Sequence, residues 1–252
     1  ITTAGAPVLA APIALRLTGA EGLAGQTARL LDASDTTAHL QGDATAETAE
    51  GSASFRTDVS FEYDGLLLTA VTCREPTELP AEGLSIDIPV KAEHALYLHR
   101  YASSWIPTSG AMPQGEGVIE KSPFIPYVWF GDNDRGLFWF CESDEMWPNG
   151  GAENAVEIVR EGDRVVLRLN ILAPGQKLPD NWRLVFGLQA TPVKAIPKDW
   201  RKWRMTGVCA GDEVRAMQNI DIVWPNAGKK DSLAAFGWPE AADDAAFSER
   251  IG

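Results

Sequence analysis

The stretch YVWFGDNDRGLFWFCESDEMW, residues 127–147, sets two short apolar runs on either side of a polar turn. Residues 127–130 and 137–142 flank Gly131 to Gly136, and the second run is apolar at both parities, as a strand covered on both faces requires. A central β-hairpin is the expectation. Working outward toward the N-terminus, Leu84, Ile86, Ile88 and Val90 alternate with Ser85, Asp87 and Pro89. That period of two predicts one buried and one wet face, and Pro89 predicts an edge or a strand end. Phe55, Val59, Phe61 and Tyr63 share one parity, and Asp64-Gly65 supplies a tight turn before LLLTAVTC at 66–73. Toward the C-terminus, 155–160 and 164–171 bracket the turn Glu161-Gly162-Asp163, with Val165, Leu167, Leu169 and Ile171 facing one way. In 182–189, Trp182, Leu184, Phe186 and Leu188 do the same. Many strands joined by short turns, with no long helices between them, predict a mainly β fold: an antiparallel two-sheet β-sandwich.

The flanks are plainer. IALRL (13–17) and TARLL (27–31) each fit a short strand, whereas Asp32 to Ser54, rich in Thr, Ala, Asp, Glu and Gly, has the composition of exposed loop. After Thr191-Pro192 the period-two pattern ends. PKDWRKWRM, from Pro197, fits a short helix with proline in its first turn, NIDIVWP (219–225) one further strand, and EAADDAAFSERI (240–251) the start of a helix. A β-sandwich domain over 1–195 and a short α/β tail over 196–252, the opening of a truncated TIM-like barrel, follow as the expected organisation. Trp200, Trp203, Trp224 and Trp238 are expected to expose apolar surface where such a barrel would pack, or where a second copy would make a dimer.

Composition narrows the function classes. The 252 residues carry a formal charge of -13 and no basic patch, which disfavours nucleic acid as a partner. KDWRKWR (198–204) mixes bases with Trp, and in so acidic a chain it fits a clamp at a domain junction. No run approaches the roughly 20 apolar residues of a spanning helix, so no membrane partner is expected. Cys73, Cys141 and Cys209 are too few and too scattered for a disulfide framework and read as buried small side chains; the compartment stays open between cytoplasmic and exported.

FEYDGLLLTAV (61–71), LSIDIPVKAEHALYLH (84–99), PFIPYVWFGDNDRGLFWFCESDEMW (123–147) and LVFGLQATPVKAIPKDWR (184–201) together resemble the N-terminal domain of glycoside hydrolase 123-like proteins. The resemblance covers roughly residues 55–205 and is most specific where 129–147 is followed by FGLQATPVK. It implies a bacterial protein in which a β-sandwich precedes a TIM-like catalytic barrel acting on amino-sugar or related glycans. Characterised members of that family remove terminal N-acetylgalactosamine with an adjacent Asp-Glu pair in the barrel. Asp212-Glu213 precedes the expected first barrel strand, so no catalytic role passes to it and no catalytic residue is assigned.

Glycosidic cleavage and sugar binding both place carboxylates beside aromatic rings. Glu142, Asp144 and Glu145, between Trp139 and Trp147, meet that description, and Trp129, Trp139, Glu142, Asp144 and Trp147 are the candidate substrate-binding residues, against the plainer reading that the indoles are core and the acids solvated loop. GDNDRG (131–136) has a calcium loop's alternating oxygens but lacks its downstream Glu, and fits a tight turn better. His94 and His99 are not at zinc-helix spacing, no metal or cofactor is expected, and neither GxSxG nor GxxxxGK[ST] occurs. Three functions compete: a non-catalytic sandwich domain that supports a glycosidase barrel and the rim of its cleft, an autonomous carbohydrate-binding module, and a complete sandwich-fold mutarotase or lyase.

Overall fold

The computed structural model describes residues 1–193, apart from 4, 21, 50, 75–78, 80–81 and 104–105, together with 205–206 and 222–223. The chain divides into two compact units, Ile1–Lys194 and Ala195–Gly252. In the first unit the strands are β1 (Thr2–Thr3), β2 (Ala6–Pro7), β3 (Ala14–Leu17), β4 (Leu23–Ala33), β5 (Thr37–Thr48), β6 (Gly51–Glu62), β7 (Leu66–Cys73) and β8 (Leu84–Lys91). They continue as β9 (Tyr97–Ser103), β10 (Ile106–Ala111), β11 (Gly117–Ser122), β12 (Tyr127–Gly131), β13 (Gly136–Phe140), β14 (Val156–Glu161), β15 (Arg164–Leu172) and β16 (Arg183–Thr191). Nine of them form one antiparallel sheet in the order β10-β9-β12-β13-β16-β7-β6-β5-β4, and five form a second in the order β11-β14-β15-β8-β3.

The hairpin of the opening stretch forms with Val128 opposite Trp139 and Phe130 opposite Leu137, and β13 lies between β12 and β16. Strand parity then sorts the side chains. Val128, Phe130, Leu137, Trp139, Leu184 and Phe186 turn inward from the nine-stranded sheet and share one buried cluster with Ile86, Ile88, Val90, Leu167 and Leu169 of the five-stranded sheet. Each fully buried aliphatic or aromatic side chain of this kind stabilises the fold by about 1.5–3 kcal/mol, and a slip of one residue would expel a whole strand's set, so the core fixes the register. The Asp64-Gly65 turn joins β6 to β7 with Gly65 at φ 89°, and Gly162, at φ 61°, turns β14 into β15.

Two expectations are corrected. Asp32 to Ser54 is not loop: β4 ends at Ala33, β5 pairs residue for residue with β6 from Thr37–Glu62 to Thr48–Gly51, and a tight turn at 34–36 joins β4 to β5. Nearly all of β4 is exposed. β5 is mostly half-buried and buries only Ala46 fully, and a strand with so little buried apolar surface carries no apolar alternation, so its composition imitates loop. The supposed wet face of β8 is also covered, since Asp87 is 3% exposed beneath the guanidiniums of Arg16 and Arg168. Pro89 sits inside the sheet just beyond Ala14, where β3 begins, and on that side the Ala10 N–H reaches its carbonyl.

Of the second unit, Met205–Thr206 pairs in parallel with Ile222–Val223. Trp200, Trp203, Trp224, Trp238, Cys209 and the expected helices of the α/β tail lie outside the described residues. Among the described residues no helix is long and apolar enough to cross a membrane.

Candidate functional site

Parity divides the aromatic residues of 127–147 between two environments. Trp139 points into the core, where it meets Trp147 edge to face at 6.4 Å, and both indoles are buried. Trp147 donates its indole N–H to the Asn170 carbonyl at 2.6 Å. Neither ring has a face on which a sugar could stack. Trp147 shares the holding of the loop after β13 with Trp182, which donates to the Met146 carbonyl at 2.8 Å, and with the Asn149 N–H, which reaches Ile171 O at 3.0 Å. Glu142, Asp144 and Glu145 stand exposed on that pinned loop. Cys141 is buried at its start, and burial, with the Asp144 and Glu142 carboxylates nearby, raises the thiol pKa, so it is no nucleophile at neutral pH.

The other parity builds the outer face of the nine-stranded sheet. His99, Tyr127, Phe138 and Phe140 form a continuous row of rings with centroids 5.6, 5.8 and 5.7 Å apart, and Tyr101 meets Tyr127 edge to face. Two rings lie against the sheet itself. A methyl group at Gly187 would fall 2.1, 2.4 and 2.6 Å from Phe140 Cζ, Cε1 and Cε2, which places it above the ring rather than at its rim. Trp129 likewise crosses Gly131 and Gly136, where a methyl would fall 2.0 and 2.5 Å from its indole, and donates its N–H to Thr191 Oγ1 at 3.0 Å. The glycines thus let each ring rest one face on backbone and keep the other turned outward. Trp129 and Phe140 are half-buried.

Beside Phe140 lies a shallow cleft of about 210 Å³ bordered by Leu68, Glu142, Glu145, Met146 and Arg183. A second, of about 290 Å³, continues past Leu68, Val185 and Arg183 to Asp58, His39 and Asp32. The two share Leu68, Val185 and Arg183, so they read as one groove across the strands. Its floor is apolar, and its banks carry four carboxylates and Arg183.

Of the candidate residues, the structure thus places Trp129, Glu142 and Asp144 on the outer face or its flanking loop, and Trp139 and Trp147 in the core. Tyr127, Phe138, Phe140, His99 and Arg183 escaped the sequence reading. For Phe140 the signal is its pairing with Gly187, which appears only once register is known.

The turn at 131–136 is a hairpin turn held by Asp132, whose Oδ1 accepts the N–H groups of Asp134 and Arg135 at 2.7 and 2.8 Å while Oδ2 meets His94 Nδ1 at 2.8 Å. Burial alone would raise the Asp132 carboxyl, but the Asp134 N–H, His94, the Arg135 N–H and the Arg135 charge outweigh it and hold the pKa below the ordinary carboxylate value. A carboxyl so depressed contributes stability above the ordinary carboxylate range and loses it as pH falls through its own lower value, so this tie weakens only in acid. Among the described residues no group of three His, Cys, Asp or Glu side chains is arranged to hold a metal ion.

Substituting the glycine under Phe140 tests the arrangement. Gly187→Ala is expected to cost about 2 kcal/mol by forcing the ring off the sheet. Urea unfolding reads this, and an unshifted midpoint would show that the ring does not rest on Gly187.

No family model and no curated protein matches the chain. Among solved structures it is similar to that of Aspergillus nidulans amine oxidase, with a TM-score of 0.31 and 10% identity over 73% of this chain. The chain spans 38% of that protein's length, and the likeness is too slight to bear on chemistry.

Proposed function

We propose that the chain serves as the non-catalytic N-terminal β-sandwich of a glycoside hydrolase-like enzyme acting on amino-sugar or related glycans, supporting a catalytic barrel and contributing to the rim of its substrate cleft. One observation carries the reading. The segments of the sequence resemblance are not scattered: 61–71, 84–99, 123–147 and, of 184–201, the part up to Thr191 fall on β7, β12, β13 and β16 of the nine-stranded sheet, on β8 of the five-stranded sheet, and on the pinned loop with its exposed acids. The chemistry of the outer face is compatible with a glycan environment, since rings and carboxylates adjoin there. Glu142 and Glu145 border a shallow cleft open to solvent, a setting suited to accepting hydroxyl hydrogen bonds.

The test is turnover. The 252-residue chain is expected to leave aryl N-acetylgalactosaminides and free sugars unchanged, with activity appearing when the same sequence is joined to a catalytic barrel. Hydrolysis, elimination or anomeric interconversion by this chain alone would replace the proposal with the complete-enzyme reading.

A further inference from the structure

The geometry points to a ligand site along the outer face of the nine-stranded sheet, one that takes an uncharged oligosaccharide with its rings on Phe140 and Trp129 and its hydroxyls on Glu142, Glu145 and Arg183. This rests on the glycan reading above and names the surface responsible. The two outer faces of the sandwich differ in kind. Asp87, Arg16, Arg168, Glu161 and Arg164 tie the outer face of the five-stranded sheet into a network of ion pairs, so its polar groups are answered from within. The nine-stranded sheet instead turns a row of rings outward, with Leu68 44% exposed in the middle of the groove.

The occupant follows from complementarity. A flat ring backed by glycine presents an aromatic face, and such a face attracts the weakly positive C–H groups of a pyranose. The side chains on the banks answer the rest of a sugar: Glu142 and Glu145 accept hydrogen bonds from hydroxyls and Arg183 donates them. Asp32, Asp58, Glu142 and Glu145 against Arg183 leave the groove acidic, which repels sulfated or uronic-acid chains and leaves neutral ones. The Trp129 indole lies over Gly136 and the Phe140 ring over Gly187, the partner of Phe140, so the two rings stand about four residues of β13 apart, roughly 13 Å, and an oligosaccharide must be several sugars long to cover both.

Calorimetric titration of the full chain tests the site, with neutral hexamers of glucose, xylose and N-acetylglucosamine, oligosaccharides ending in N-acetylgalactosamine, a heparin fragment and a basic amphipathic peptide as probes. Saturable binding of at least one neutral glycan is expected, with none of heparin. Phe140→Ala should weaken it about tenfold, the upper range of one aromatic contact. Glu145→Gln and Arg183→Ala, at exposed positions that leave the fold intact, should each weaken it about threefold. Tyr63→Ala, on an exposed turn outside the groove, should leave it unchanged. Silence toward every glycan, binding undiminished in all three groove variants, or binding of the peptide alone would overturn the site. Glycan binding in a protein without glycosidase activity would leave the groove standing and remove the enzyme reading. An active barrel-bearing protein whose sandwich binds nothing would do the reverse.

Discussion

Trp139→Ala is expected to lower the stability of the fold by about 4 kcal/mol, the middle of the range for truncating a buried aromatic. The indole is 1% exposed, sits between the two sheets opposite Val128 on one side and Leu188 on the other, and braces Trp147. Its removal leaves a cavity that two sheets, each held by its own ladder of hydrogen bonds, can close only in part. A second substitution separates packing from hydrogen bonding. The Trp139 N–H meets no acceptor among the described residues, whereas Trp182 donates to Met146 O. Trp139→Phe should therefore cost about 1 kcal/mol less than Trp182→Phe, which also frees the loop carrying Glu142 and Glu145. Urea unfolding followed by circular dichroism measures all three. A loss below about 1 kcal/mol for Trp139→Ala would mean that the indole is not in the core.

Asp87→Ala should cost about 3 kcal/mol, the low end for removing one partner of a buried ion pair, because Arg16 is largely exposed and recovers some hydration. Asp87 accepts three hydrogen bonds, from Arg16 Nε at 2.7 Å and from Arg168 Nε and Nη2 at 2.9 and 3.0 Å. The cluster bolts β3, β8 and β15 together across the outer face of the five-stranded sheet. Asp43→Ala is the contrast: it removes the more exposed contacts to Arg56 and Arg74 and should cost less than about 1 kcal/mol. Equal losses from the two substitutions would show that burial does not distinguish the pairs.

Much of the sandwich could be read from residue order alone, for a physical reason. Wherever both sheets cover a strand, burial imposes a period of two, and Ile86, Ile88, Leu167, Leu169, Leu184 and Phe186 display it. The reading failed where apolar burial was slight, on β5, which buries only Ala46 fully, and where burial was polar, at Asp87. The site was legible by neighbourhood and not by direction. Rings and acids do crowd together at 127–147, yet Trp129 and Trp139 point to opposite faces, and only register says which of them meets water. Phe140 acquires its role from Gly187, a cross-strand partner 47 positions away that no local pattern could supply.

The division of one aromatic stretch between core and ligand face is the claim on which the rest depends, and hydroxyl-radical footprinting of the native chain reads it residue by residue. Trp129, Tyr127 and Phe140 are expected to be modified, and protected when a neutral glycan is bound, while Trp139, Trp147 and Trp182 stay untouched until the chain unfolds. Modification of Trp139 and Trp147 in the native protein, with Trp129 and Phe140 silent, would contradict it.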